Sequence, residues 1–246
     1  MKKKSVLKKI LVTVAVVLLL LTGATAVYVS DYYHAAEEAI TYINEPAEGV
    51  KTDTSEKGVI IFEPAEIKAG LIFYPGAKVE YTAYAPLMEK LAEKGILVVL
   101  LKMPLNIAFL GINAAKDYPA RWPEVENWYI GGHSLGGVCA SMFLKDHLDE
   151  YRGLLLVASY TTTDFSGSSL NCLSIYGSND KVLNLDKYNE AKVNLPSDNR
   201  EAVIQGGNHA NFAWYGDQKG DGEAAIDRLT QINTAAETIS SWMNKQ

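Results

Sequence analysis

Polar and apolar positions divide the chain into three stretches of different character. Residues 10–29 contain no charged side chain, about the 20 residues that a helix needs to cross a hydrocarbon core roughly 30 Å thick. Residues 31–57 begin with a short helix-favouring segment and continue as a polar stretch with Pro46, Gly49 and several charges, a pattern that predicts a stalk. From Gly58 onward, apolar runs of strand length alternate with amphipathic segments. The runs at 59–62, 70–74, 96–101, 128–131, 154–158, 173–176 and 202–205 predict strands. The run 96–101 is apolar throughout, as in a parallel strand covered on both faces. Segments 82–94, 107–116, 135–147, 185–193 and 226–243 predict helices. In the first of these, Ala85, Met88, Leu91 and Ala92 share one face and Gly95 supplies the C-terminal cap. Such alternation predicts an α/β fold with a doubly wound, mostly parallel sheet, whose working loops lie at the C-terminal ends of the strands. The expected divisions are a membrane or signal segment at 1–30, a linker at 31–57 and one domain at 58–246, with no internal repeat.

Charge sharpens this division. The 246 residues carry a net charge of −6, but every charge in the first thirty residues is a lysine: Lys2, Lys3, Lys4, Lys8 and Lys9. The remainder holds 18 Lys and Arg against 29 Asp and Glu, a net −11. A body this acidic repels phosphates, so no nucleic-acid partner is expected. Lysines before the apolar run and Asp31, Glu37 and Glu38 after it orient a spanning helix with the body outside the cytoplasm. The same segment also has the parts of a cleavable signal peptide, with Ala24-Thr25-Ala26 as the site. An uncleaved anchor is the preferred reading, because hydrophobicity runs on through Val27, Tyr28 and Val29. Cys139 and Cys172 are too few for a disulfide framework and read as buried thiols.

The candidate chemistry begins at Gly132-His133-Ser134-Leu135-Gly136. This G-x-S-x-G sequence lies between an expected strand and an expected helix, the context in which it forms a tight turn with the serine at its apex. Gly132 and Gly136 have no Cβ to clash where the backbone folds back on itself. The helix N-terminus behind Ser134 offers free amides to a developing oxyanion. Serine is a weak nucleophile without a base, and the base needs an orienting carboxylate. Of four histidines, His34 adjoins the anchor, His133 sits inside the turn facing away from the nucleophile, and His147 ends a helix. His209, in Gly206-Gly207-Asn208-His209 after the last expected strand, is the base candidate. Asp180 follows the strand at 173–176 and is the carboxylate candidate, with Asp164 as the fallback. Asp186, a helix turn further on, reads as a solvated helix residue. The second oxyanion donor is expected after the strand at 70–74 from Ala77, because Gly76 lets the backbone bend and turn the next N–H inward, with the neighbouring Lys78 as the alternative and Leu135 as the first donor.

These pieces resemble the α/β-hydrolase superfamily over residues 58–244. The narrower resemblance is to the compact bacterial "α/β-hydrolase fold-5" and dienelactone-hydrolase-like carboxylesterases. It is carried by Tyr74-Pro-Gly-Ala-Lys-Val-Glu80, Gly131-Gly-His-Ser-Leu-Gly-Gly137, Ile175-Tyr-Gly-Ser-Asn-Asp180 and Gly206-Gly-Asn-His-Ala-Asn-Phe212, continuing into Tyr215-Gly-Asp-Gln-Lys-Gly-Asp-Gly222. The resemblance implies a serine hydrolase of carboxylesterase type using Ser134, Asp180 and His209, with no cofactor and no metal. Dienelactone hydrolases use a cysteine, and the serine here favours ordinary ester hydrolysis. Where many relatives insert a helical lid, residues 159–171 are a short polar loop, so no cap domain and an open acyl site are expected. Phe109, Phe165, Phe212 and Trp214 are candidate pocket walls or ordinary core. Asp217 and Asp221 imitate a calcium loop, but Lys219 and Arg228 occupy ligand positions, leaving a solvated loop as the reading. The expected partners are a small ester or acyl substrate and, through the N-terminal helix, a membrane; oligomeric state stays open. Two other functions share these residues: acyl transfer or cell-envelope deacylation with the same triad, and a surface binding module without turnover.

Overall fold

In the computed structural model, which describes residues 2–244, the chain divides into two units, 1–32 and 33–246. The first is helix α1, Lys2–Ser30. Its apolar part, Lys8–Ser30, is 23 residues long and apolar enough to cross a membrane; at 1.5 Å per residue it spans about 35 Å. A span and a signal sequence share these properties.

The second unit is built on an eight-stranded sheet in the order β1-β2-β4-β3-β5-β6-β7-β8. The strands are β1 Val50–Asp53, β2 Val59–Pro64, β3 Ala69–Tyr74, β4 Ile96–Leu101, β5 Trp128–His133, β6 Gly153–Val157, β7 Asn171–Gly177 and β8 Asp198–Ile204. The β1–β2 and β2–β4 pairs are antiparallel, and the remaining pairs are parallel. Alternation along β4 sorts its side chains between two cores. Val98 and Leu100 face the core built with α3 (Ala85–Ala92) and α6 (Arg228–Met243). Leu97, Val99 and Leu101 face the core built with α4 (Leu135–Leu144). Burial of both faces is why β4 is apolar at every position.

Several boundaries depart from the pattern. The segment expected as one helix at 82–94 is a 3₁₀ turn, Tyr81–Tyr84, followed by α3, which restarts around Pro86 because proline has no N–H to continue the preceding turn. The helix expected at 107–116 is an irregular 3₁₀ segment, Ala108–Ala115, interrupted at Gly111. No helix or strand lies between β6 and β7, in keeping with a fold without a cap.

The stalk expected at 31–57 is corrected. Tyr33 donates its N–H to Lys78 O at 2.7 Å and accepts from the Glu80 N–H at 2.9 Å. Helix α2 (Glu37–Asn44) buries Ala39, with Tyr42 set against Trp214, and β1 forms the sheet edge. An edge strand and a surface helix keep one side in water, so their polar composition imitates a linker. The domain starts at Tyr33, not at Gly58.

Candidate active site

Strand β5 delivers the chain into a turn whose apex is Ser134, with φ 53° and ψ −124°. A non-glycine residue in such a conformation costs on the order of 1–3 kcal/mol and persists only where its surroundings over-determine it. They do so here. Ser134 donates its N–H to Val157 O at 2.9 Å, while its own carbonyl accepts from the Gly137 N–H at 3.1 Å and the Ser159 hydroxyl at 2.7 Å. A Cβ on Gly132 would lie 2.5 Å from Tyr74 O, and one on Gly136 only 2.2 Å from the same atom. Both glycines are therefore required by backbone packed on backbone.

Asp180 and His209 come together at the ends of β7 and β8. His209 Nδ1 lies 2.8 Å from Asp180 Oδ2, and both side chains are buried. The other oxygen, Oδ1, accepts the Val182 and Leu183 amides, each at 2.8 Å. A carboxylate held by these donors fixes the His209 proton on Nδ1, which leaves Nε2 as an acceptor. That Nε2 is buried without a hydrogen-bond partner among the described residues. Ser134 and His209 line one cavity of about 230 Å³, walled by Leu135, Val138, Ala158, Tyr160, Val182 and Leu183 among others. Asp164 is not the partner of His209; its carboxylate is exposed and bonded to Ser166. Asp186 is exposed in the first turn of α5, Leu185–Ala191. The four aromatic wall candidates are absent from this lining: Phe165 and Phe212 are core, Trp214 is half-buried and Phe109 faces solvent.

The loop after β3 separates the two candidates for the second oxyanion donor. Lys78 N–H is committed to Asn106 O at 2.7 Å, and Gly76 N–H to the Tyr84 hydroxyl at 2.9 Å. Ala77 N–H between them has no hydrogen bond among the described residues. Leu135 lines the cavity and Ala77 does not. Gly76 is held against Tyr84 and His133, since a Cβ there would lie 2.9 Å from each of their polar atoms. The Tyr84 hydroxyl meets His133 Nδ1 at 2.8 Å, and His133 Nε2 meets His209 O at 3.1 Å. A consistent direction runs from Gly76 N–H to Tyr84, from Tyr84 to His133 Nδ1, and from His133 Nε2–H to the His209 carbonyl. Burial, reinforced by His209 nearby, keeps His133 well below the usual histidine range and so neutral.

This strand–serine–helix turn, with a buried Asp–His pair at the next strand ends, is what a family comparison then meets. A model of the alpha/beta hydrolase family matches residues 70–233, most of the chain. The chain belongs to that family. Comparison with curated protein sequences finds no match. Among solved structures, this α/β-hydrolase is similar to an esterase of Pyrobaculum calidifontis at 15% identity and TM-score 0.59, over 85% of this chain and 90% of that one. An S-formylglutathione hydrolase of Agrobacterium tumefaciens matches at 12% and 0.55, over 81% and 96%. A dienelactone hydrolase of Anabaena variabilis matches at 16% and 0.56, over 79% and 97%. At such identities the likeness establishes the fold.

One feature of this α/β-hydrolase contradicts its sequence pattern. Asp217 is exposed, as a solvated loop predicts, but Asp221 is half-buried and bonded. Its Oδ1 accepts the Lys181 N–H at 3.2 Å and its Oδ2 the Ala210 N–H at 2.9 Å. These amides belong to the residues immediately after Asp180 and His209, so one carboxylate ties both loops. Asn208 Nδ2 donates to Gly222 O and Asn179 Nδ2 to Glu223 O, each at 2.9 Å, which holds the strap from both sides. The signal available in the sequence was Asp221-Gly222 within a subgroup-specific run, although hydropathy alone reads it as loop. Cys139 and Cys172 are free and buried, their thiols pushed up by burial to about 11 and about 12. His147 stacks on Phe143 and meets Glu150, and His34 meets Glu80, so neither belongs to the site. Among the described residues, no group of three or more His, Cys, Asp or Glu side chains converges on a metal position.

Proposed function

We propose that this α/β-hydrolase is a serine hydrolase that cleaves carboxylic esters with short or accessible acyl groups through an acyl-enzyme on Ser134. The observation that carries the reading is the buried His209, bonded to Asp180 through Nδ1, with an unpaired Nε2 beside the cavity that Ser134 lines. An unpaired buried nitrogen is costly unless it has work to do, and this one lacks only a proton donor. Ser134 Oγ attacks the acyl carbon while His209 Nε2 takes its proton. Asp180 keeps the imidazole in the required tautomer and stabilises the imidazolium. The Leu135 and Ala77 amides receive the oxyanion. Collapse expels the alcohol, which leaves with the proton from His209, and water repeats the sequence to release the acid. This chemistry needs neither metal nor organic cofactor. The small cavity and the absent cap favour short or exposed acyl groups over deeply buried chains. The apolar helix α1 supports a body tethered outside the cytoplasmic membrane. Secretion after cleavage is the second reading of the same segment, supported by Ala24-Thr25-Ala26.

The test is hydrolysis of a p-nitrophenyl ester series from acetate to palmitate by the full chain, with Ser134→Ala beside it. Fastest turnover is expected on the short esters, with loss of activity in the variant. No turnover on any member, or equal turnover by Ser134→Ala, would overturn the proposal. The mass of the mature N-terminus tests the tether, since a chain beginning at Val27 has lost it.

A further inference from the structure

We infer that the segment following β4 is a lipid-docking surface that rests on the anionic bilayer to which the chain is tethered, at the same end of the sheet as the candidate active site. The inference rests on the proposed tether and not on the proposed triad. Its first support is an exposed apolar group. Leu105, Phe109 and Leu110 are 53%, 58% and 54% exposed, three large apolar side chains within six residues. Elsewhere on the domain, Leu148, Leu185, Val193, Val203 and Leu229 are exposed singly along the chain. Single exposed residues are ordinary, whereas a group of them marks an interaction site.

The second support is backbone conformation. Leu105 and Asn106 both have φ 55°, a left-handed conformation that asparagine adopts readily but that a leucine avoids. Hydrogen bonds keep them there: Asn106 N–H to Met103 O and Ile107 N–H to Pro104 O, each at 3.0 Å, and Lys78 N–H to Asn106 O at 2.7 Å. The chain is thus held in a strained form that places a leucine in solvent, an arrangement found where a surface has a function.

Charge selects the occupant. Residues 102–116 carry Lys102 and Lys116 and no acidic residue, on a body whose net charge is −11. A locally basic, apolar segment on an acidic protein complements anionic lipid, where apolar side chains enter the headgroup boundary and lysines meet the phosphates.

Chain length places that lipid within reach. Only Asp31 and Tyr32 separate α1 from Tyr33 along the chain. Tyr33 bonds Lys78, and Lys78 bonds Asn106. Segment 102–116 also leaves the sheet at the C-terminal end of β4, the edge at which Ser134 follows β5.

The test uses the full chain reconstituted in vesicles of phosphatidylglycerol and phosphatidylcholine. An environment-sensitive fluorophore is attached at Phe109→Cys and, as a control, at Val193→Cys, the native thiols being buried. Nitroxide-bearing lipid is expected to quench most of the emission at position 109 and little at 193, with weaker quenching in phosphatidylcholine alone. Equal, weak quenching at both positions would overturn the inference. So would a fluorophore at 109 that is shielded from water but not quenched by lipid, since a protein or a second copy would then cover the segment. Fluorophosphonate labelling of the same preparation separates the two proposals: labelling without quenching refutes the docking surface alone, and quenching without labelling refutes the hydrolase alone.

Discussion

The strap at 217–223 and the segment at 102–116 exchange the places their compositions suggest. The strap reads as a solvated acidic loop, yet Asp221 is half-buried and accepts amides next to both Asp180 and His209. In the second segment, 107–116 reads as a helix with Phe109 as pocket wall or core, yet Leu105, Phe109 and Leu110 lie in solvent. The difference is one of hydrogen bonding and not of hydrophobicity. A carboxylate is stable in a half-buried place where amides aim at it, and an apolar side chain stays in water where its backbone is held elsewhere. Both inversions lie at the sheet edge that carries the candidate site, where local rules are expected to give way to function.

The contrast can be broken in several ways, and the largest effect lies at what the strap holds. Asp180→Asn should lower kcat by about 10⁴-fold while leaving the fold intact, because the amide no longer fixes the His209 tautomer. Steady-state kinetics on a short ester beside circular dichroism checks this. Asp221→Ala should lower kcat by about 10²-fold with little change in KM, since it displaces two loops without touching substrate. The same variant should lose on the order of 1–3 kcal/mol of stability through its orphaned amides, which denaturant unfolding measures. If kcat is unchanged, the strap is not a positioning element.

The next effect concerns His133, which pins the base loop from its other side. Unfolded His133 binds a proton below about pH 6.5 while the folded, neutral residue resists it. Stability should therefore be fully present above that pH and fall as pH drops below it, with a slope approaching about 1.4 kcal/mol per pH unit. Urea unfolding between pH 7.5 and 5.5 should show a flatter dependence in His133→Asn. The smallest effect is expected in the apolar segment. Leu110→Ser should change stability by no more than about 0.5 kcal/mol, as for a surface substitution. A larger loss in thermal unfolding would show that the leucine packs against the fold after all.

Legibility in the sequence follows the same physics. The central strands β3 to β7 were readable because burial on both faces makes them apolar. The edge strands were not: β1 lay hidden in an apparent stalk, and β8 was recognised only at its end because Asp198, Asn199, Arg200 and Glu201 face water. Ser134, Asp180 and His209 stood out because each follows an expected strand end with the glycines or turn residues that a bent loop requires. Gly76 points to Ala77 as the second donor, while the reason that the neighbouring Lys78 amide is occupied, its bond to Asn106 O, lies in a distant loop. The strap escaped because its role rests on amides contributed by distant loops, which no local pattern records.

The central claim is that Ser134 is a nucleophile activated by the His209–Asp180 pair. Its most direct measurement is fluorophosphonate labelling of the full chain, with peptide mass spectrometry to locate the adduct. A single adduct on Ser134 is expected, abolished in Ser134→Ala and strongly slowed in His209→Ala. A folded wild-type protein that takes no label, or an adduct on another residue that survives Ser134→Ala, would contradict it.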